Sequence, residues 1–179
     1  MELKSKIESH LAQHNPFDTI NEFTRKEYRD KDTVEAFVQL HNEGKLNLIE
    51  IFSKIKNDKS IDFFMVRYLF SDALPHLKDR NIPSLLNTIE IIIIEAGDDM
   101  ASHYPLEDFE KLLNIDLEFS CQIIEHLKTN EYTIRFLTKT LISISKKDLK
   151  LSLDKAEEII SLKNENLSAD VMLALGQID

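Results

Sequence analysis

Apolar side chains recur at three- and four-residue intervals along almost the whole chain, as in Val34, Phe37, Val38 and Leu40 or Leu117, Cys121, Ile124 and Leu127, and strict alternation is nearly absent. That spacing lays one stripe of an amphipathic helix against a core, whereas a half-buried strand needs a period of two. Three Gly and four Pro in 179 residues leave few tight turns, which disfavours a sandwich or barrel and favours helices joined by short polar loops. Asp32-Thr33, Asn47, Ser60 and Asp116 stand where helices begin, and Gly44 and Gly97 where they end. The pattern predicts helices over roughly 2–14, 18–29, 33–43, 47–57, 61–78, 83–96, 105–114, 117–129, 131–145, 149–163 and 168–178.

Two segments test that reading. Thr88 to Glu95, with Ile91–Ile94 at its centre, has the β-branched content of a strand, yet Pro83 near its start and Gly97 just past its end follow the asymmetry of helix termini. The expectation is a buried helix. Pro75 lies within Ser71–Lys78, where it removes a backbone donor and should kink or split the helix.

From about residue 33 the helices fall into pairs at the spacing of helical repeat arrays, about 30–45 residues. Thr140–Ser145 and Ala174–Asp179 superpose at an offset of 34 (141 to 175), and Val66-Arg67 lies 68 residues before Ile134-Arg135. Asp170-Val171 followed by Ala174-Leu175-Gly176-Gln177-Ile178-Asp179, with Arg135 at a frequent basic position, resembles the HEAT and HEAT-like repeat families. The gap between the two parts is shorter than usual, Ile142 stands where Gly176 does in the last copy, and residues 1–30 do not fit. The resemblance implies an all-α array of antiparallel helix pairs, a right-handed HEAT-like α-solenoid over 31–179 behind an N-terminal helical cap over 1–30. It also implies the binding of proteins or, in some members, nucleic acid. The alternative from the residues alone is an irregular helical bundle whose Ile- and Leu-rich helices echo one another by composition.

Cys121 is the only cysteine, so no intramolecular disulfide and no multi-cysteine zinc site can form within the chain. The first residues lack the apolar segment of a signal peptide, and Ile91–Ile94 is too short to span a bilayer. These features predict a cytoplasmic protein. A pI near 5.1 opposes a phosphate backbone or an anionic membrane, although the basic clusters Arg25-Lys26 and Lys146-Lys147 remain.

No motif predicts catalysis or a cofactor. None of the six His has an acid three residues before it and none belongs to His-Glu-x-x-His, so di-iron and common metallohydrolase signatures are missing. Glu95, Asp98, Asp99 and His103 form the best remaining metal-ligand set, but carboxylates beside a helix end are usually solvated. Three scattered glycines exclude a dinucleotide fingerprint and a P-loop. Cys121 sits on the stripe of Leu117, Ile124 and Leu127, which predicts a buried small hydrophobe rather than a nucleophile. Phe63, Phe64, Tyr68 and Phe70 read as core packing more than as a binding hot spot.

What remains is charge. Residues 81–127 hold ten of the chain's 32 acids against one of its 22 Lys and Arg, Lys111, so nine of the ten net negative charges fall there. A regional field of that kind selects partners. The sequence predicts a non-enzymatic protein-binding module, with Glu90, Glu95, Asp98, Asp99, Glu107 and Asp108 contacting a protein with a basic surface, neither nucleic acid nor a membrane being bound directly. The concrete form is an inhibitor or immunity-type protein that blocks a basic, nucleic-acid-acting enzyme. Two other readings stay open: the acids are a solubilising face, or the chain is the N-terminal scaffold or sensor part of a longer helical-repeat protein. The final helix, carrying Val171, Leu175 and Ile178, is expected to leave an apolar face through which the chain self-associates.

Overall fold

The computed structural model describes residues 3–24, 30–54, 63–78, 80–97 and 103–178. Among these residues the structure is helical, without a strand: α1 (Leu3–Leu11), α2 (Pro16–Thr24), α3 (Lys31–Asn42), α4 (Leu48–Ser53), α5 (Phe63–Ala73), α6 (Ile82–Ala96), α7 (Tyr104–Ile115), α8 (Leu117–Leu127), α9 (Phe136–Ser145), α10 (Leu149–Ser161) and α11 (Glu165–Leu175). No helix among the described residues is long and apolar enough to cross a membrane. Seven helices open on an Asp or Asn whose side-chain oxygen accepts the N–H three residues on: Asn15, Asp30, Asn47, Asn81, Asp116, Asp148 and Asn164. Each satisfies one of the donors that a helix start leaves without an intrahelical partner.

Pro75 acts as expected. The α-helix ends at Ala73, and a 3-10 turn, Leu74–His76, carries the proline. Asn42 at the end of α3 holds that turn, donating to the His76 carbonyl (3.1 Å) and accepting from the Lys78 N–H (2.8 Å). Gly97 closes α6 with φ of +56°, a conformation that costs glycine little.

The chain forms two compact units, Met1–Asp108 and Phe109–Asp179. In the first, α1 packs on α2 and α3, α5 on α2, α3 and α4, and α4 on α6. Ile7, Ile20, Phe37, Leu40, Leu48, Phe52, Phe70, Leu85, Ile89 and Ile92 are among its buried residues, with Phe52 and Phe70 edge to face at 5.2 Å. Lys4 pairs with Glu43, and Glu8 with Lys45. These pairs tie α1 to the segment just past α3, and with the packing of α1 on α3 and of α2 on α5 they place α1 and α2 in one core with the helices that follow.

In the second unit α9 is central, packing on α8, α10 and α11, while α10 also packs on α11. Helix α7 meets α9 through the Phe109 and Phe136 rings (5.3 Å), the Glu110–Lys139 pair and the Ser143 hydroxyl on the Asn114 side-chain oxygen. Helix α8 meets α10 through a four-charge group in which Lys128 and Lys155 each pair with Glu125 and Glu158. Thr138 of α9 donates to the Asp170 carbonyl of α11 (3.1 Å), and the Arg135 Nε lies 3.7 Å from the Asp170 carboxylate.

Several expectations need correction. Residues 131–135 are not helical and α9 starts at Phe136, because the Tyr132 hydroxyl engages His126 Nε2 (2.8 Å) and the Phe136 N–H turns back to the Ile134 carbonyl (2.8 Å). The Ile91–Ile94 quartet is in a helix, but only Ile92 is buried and Ile94 is 52 % exposed, since one helix buries a stripe and two residues further along is about 200° round. Val171 is buried inside its own unit, with Leu175 and Ile178 half-buried. Cys121 is half-buried at the flank of the α8 stripe, where Phe119, Ile123, Ile124 and Leu127 are the buried members. Tyr68 is half-buried and Phe70 buried; the Phe63 and Phe64 side chains lie outside what is described.

Candidate interaction surfaces

The carboxylates that crowd residues 81–127 separate by role once folded. Asp116 caps α8, accepting from the Phe119 N–H at 2.9 Å. Glu110 is paired with Lys139, and Glu125 with Lys128 and Lys155. Hydrogen bonds from Lys128 and then Lys155 hold the Glu125 carboxyl below the usual carboxylate range, and the same two lysines do so for Glu158. Three lysines from outside 81–127 therefore neutralise part of the acidity that the sequence concentrates there.

The six carboxylates expected to contact a partner fare differently. Asp108 is buried and removed from the surface, where it engages a partner within the chain. Glu90 is half-buried and also engaged, while Glu95 on α6 and Glu107 on α7 are exposed, without an ion pair among the described residues. Asp98 and Asp99 lie outside the described residues. Near this region Arg67 is fully buried, its guanidinium 4.2 Å from the Tyr68 ring centroid and 5.0 Å from that of half-exposed Tyr104. Of the metal-ligand set weighed in the sequence, Asp98 and Asp99 lie outside the described residues and His103 is exposed, and no group of three or more His, Cys, Asp or Glu among the described residues is placed to hold an ion.

Two further features were not legible in the sequence. A cleft of about 230 Å³ lies between the 130–135 loop and α11, with Tyr132, Arg135, Leu137, Asn166, Leu167 and Asp170 on its walls. Burial raises the Asp170 carboxyl pKa, with Arg135 opposing, and burial lowers that of the nearby His126.

The second is apolar. Leu149, Leu153 and Ile160 of α10 are 47 %, 45 % and 41 % exposed, and Met172 and Leu173 of α11 are 64 % and 38 % exposed. The three α10 residues share one face within about 40° at 100° per residue. No protein-family model, curated protein or solved structure matches the chain.

Proposed function

We propose that the protein is a non-enzymatic, HEAT-like protein-binding module that uses exposed carboxylates of α6 and α7 against a basic protein surface. Support for the array comes from side chains that meet about one helix pair further along the chain: Glu110 with Lys139, Asn114 with Ser143, Glu125 with Lys155, Lys128 with Glu158 and Thr138 with Asp170. In both the α7–α9 and α8–α10 contacts the partners advance together, so α7 runs parallel to α9 and α8 to α10, a relation that stacked helix pairs also have. The Arg135–Asp170 pair joins the basic position to the Asp-Val pair that carries the resemblance.

One observation carries the functional part. Glu95 and Glu107 stay exposed and outside ion pairs among the described residues while Glu110 and Glu125 are neutralised. Carboxylates held on helices can occupy a surface meant for phosphates, and the attraction speeds association with a basic partner. A basic, nucleic-acid-acting enzyme inhibited by this surface is the partner class that fits. Affinity capture with mass spectrometry, run on wild type and on Glu95→Lys/Glu107→Lys, tests it. The expected result is a basic protein that elutes with salt, is lost from the double variant, is retained by a control Asp32→Lys/Glu35→Lys variant, and loses activity when the wild-type chain is added. Equal retention by both variants, or salt-insensitive capture, would sink the reading.

A further inference from the structure

From the exposed apolar stripe of α10 and the charges at its ends we infer that the chain forms a two-fold dimer, the α10 stripe of one copy packing antiparallel on that of a second. The first ground is position. Helix α10 meets α8 through Lys155 and Glu158, and Leu149, Leu153 and Ile160 lie on the opposite side, roughly 170° round the helix axis. Helix α11, packed on α10, also exposes Met172 and Leu173. Large apolar side chains gathered on adjacent helices mark an interaction site more often than solvated surface.

The second ground identifies the occupant. Along the flank of the stripe the exposed charges on α10 are Lys150 in its first turn and Glu157 toward its C-terminal end. Lys150 and Glu157 lie on the same flank of the stripe, within about 20° of one another, and have no ion pair among the described residues. In a parallel two-fold pair the flank that carries Lys150 and Glu157 would fall on opposite sides of the contact in the two copies, so these charges would not meet. The antiparallel arrangement, in which Leu149 covers Ile160 of the other copy, brings Lys150 to within two residues, about 3 Å of rise, of the other copy's Glu157. A two-fold axis repeats that contact on both sides, so one surface is complementary to itself. Of the residues expected from the sequence to form such a face, Val171 is buried and Leu175 and Ile178 are half-buried, whereas the more exposed apolar stripe is that of α10.

Sedimentation equilibrium of the full chain over a wide concentration range tests this, with circular dichroism confirming helicity of each variant. Wild type should show a reversible monomer–dimer equilibrium, and Leu153→Asp, at an exposed position, should weaken it by about a hundredfold or more. Lys150→Glu and Glu157→Lys should each weaken association by about tenfold, since each pair occurs twice, and the double reversal should restore it. A monomer at all concentrations, open-ended larger assemblies, or a double reversal as weak as either single one would overturn the inference. So would a monomer that takes up a foreign amphipathic helix on Leu149, Leu153 and Ile160. None of these outcomes bears on the capture experiment at Glu95 and Glu107.

Discussion

At the scale of single residues the charges of α8 and α10 set a pH response whose sign can be worked out. Glu125 and Glu158 have carboxyl pKa values lowered from 4.5 by hydrogen bonds to Lys128 and Lys155. A depressed carboxylate stabilises the fold fully above its unfolded value and loses that contribution as pH falls through the folded one. The lysines answer at the other end of the scale. Burial opposes the charge of Lys128, but its hydrogen bonds to Glu125 and Glu158 outweigh that and its pKa is raised, as is that of Lys155, led by its bond to Glu125. Their contribution is therefore present below 10.5 and lost as pH rises through the raised values. Asp170 carries the opposite sign to the glutamates, since burial raises its pKa and ionising it costs stability as pH rises past 3.8. A Glu125→Gln/Glu158→Gln variant is expected to be less stable than wild type at pH 7, with the difference closing below about pH 4. Urea midpoints of both proteins at the two pH values check it; a gap that persists in acid would mean that packing rather than charge was lost.

At the scale of elements, the capping residues were readable because they act over three positions. Asn47 and Asp116 each mark a helix start in the sequence and each accepts the N–H expected of it. The start of α9 was not readable, because Tyr132 is turned from helix by its hydroxyl on His126, a contact that exists only once α8 is in place. Helix α6 shows the same division. Pro83 and Gly97 bracket it and give its type, but which isoleucines are buried depends on the neighbour it packs against, α4. Two substitutions separate these levels: Ile92→Ala is expected to destabilise by about 3 kcal/mol through a cavity, whereas Ile94→Lys should change stability by less than about 0.5 kcal/mol. Thermal or urea unfolding of the two variants decides. Equal losses would place Ile94 in the core and the helix in a different rotation.

At the scale of the whole molecule, the regional acidity shows what a linear count leaves out. Glu110 and Glu125 are matched by Lys139 and Lys155, about thirty positions away, so nearness in sequence overstated their share of the surface charge, and buried Asp108 adds to the difference. The second compact unit buries Phe109, Leu113, Ile124, Phe136, Leu141, Ile144, Ile159 and Val171, a core of its own. A fragment of residues 104–179, which keeps α7 whole, is expected to be helical and to melt in one cooperative transition; a gradual, featureless loss of ellipticity would show that this core does not close alone. The reach of the cross-helix contacts has a kinetic consequence as well. Lys4 to Glu43, Glu125 to Lys155 and Thr138 to Asp170 all close short loops. Because each of these closures stays within one compact unit, the helix pairs of each unit are expected to form locally, without waiting for segments far away in the sequence.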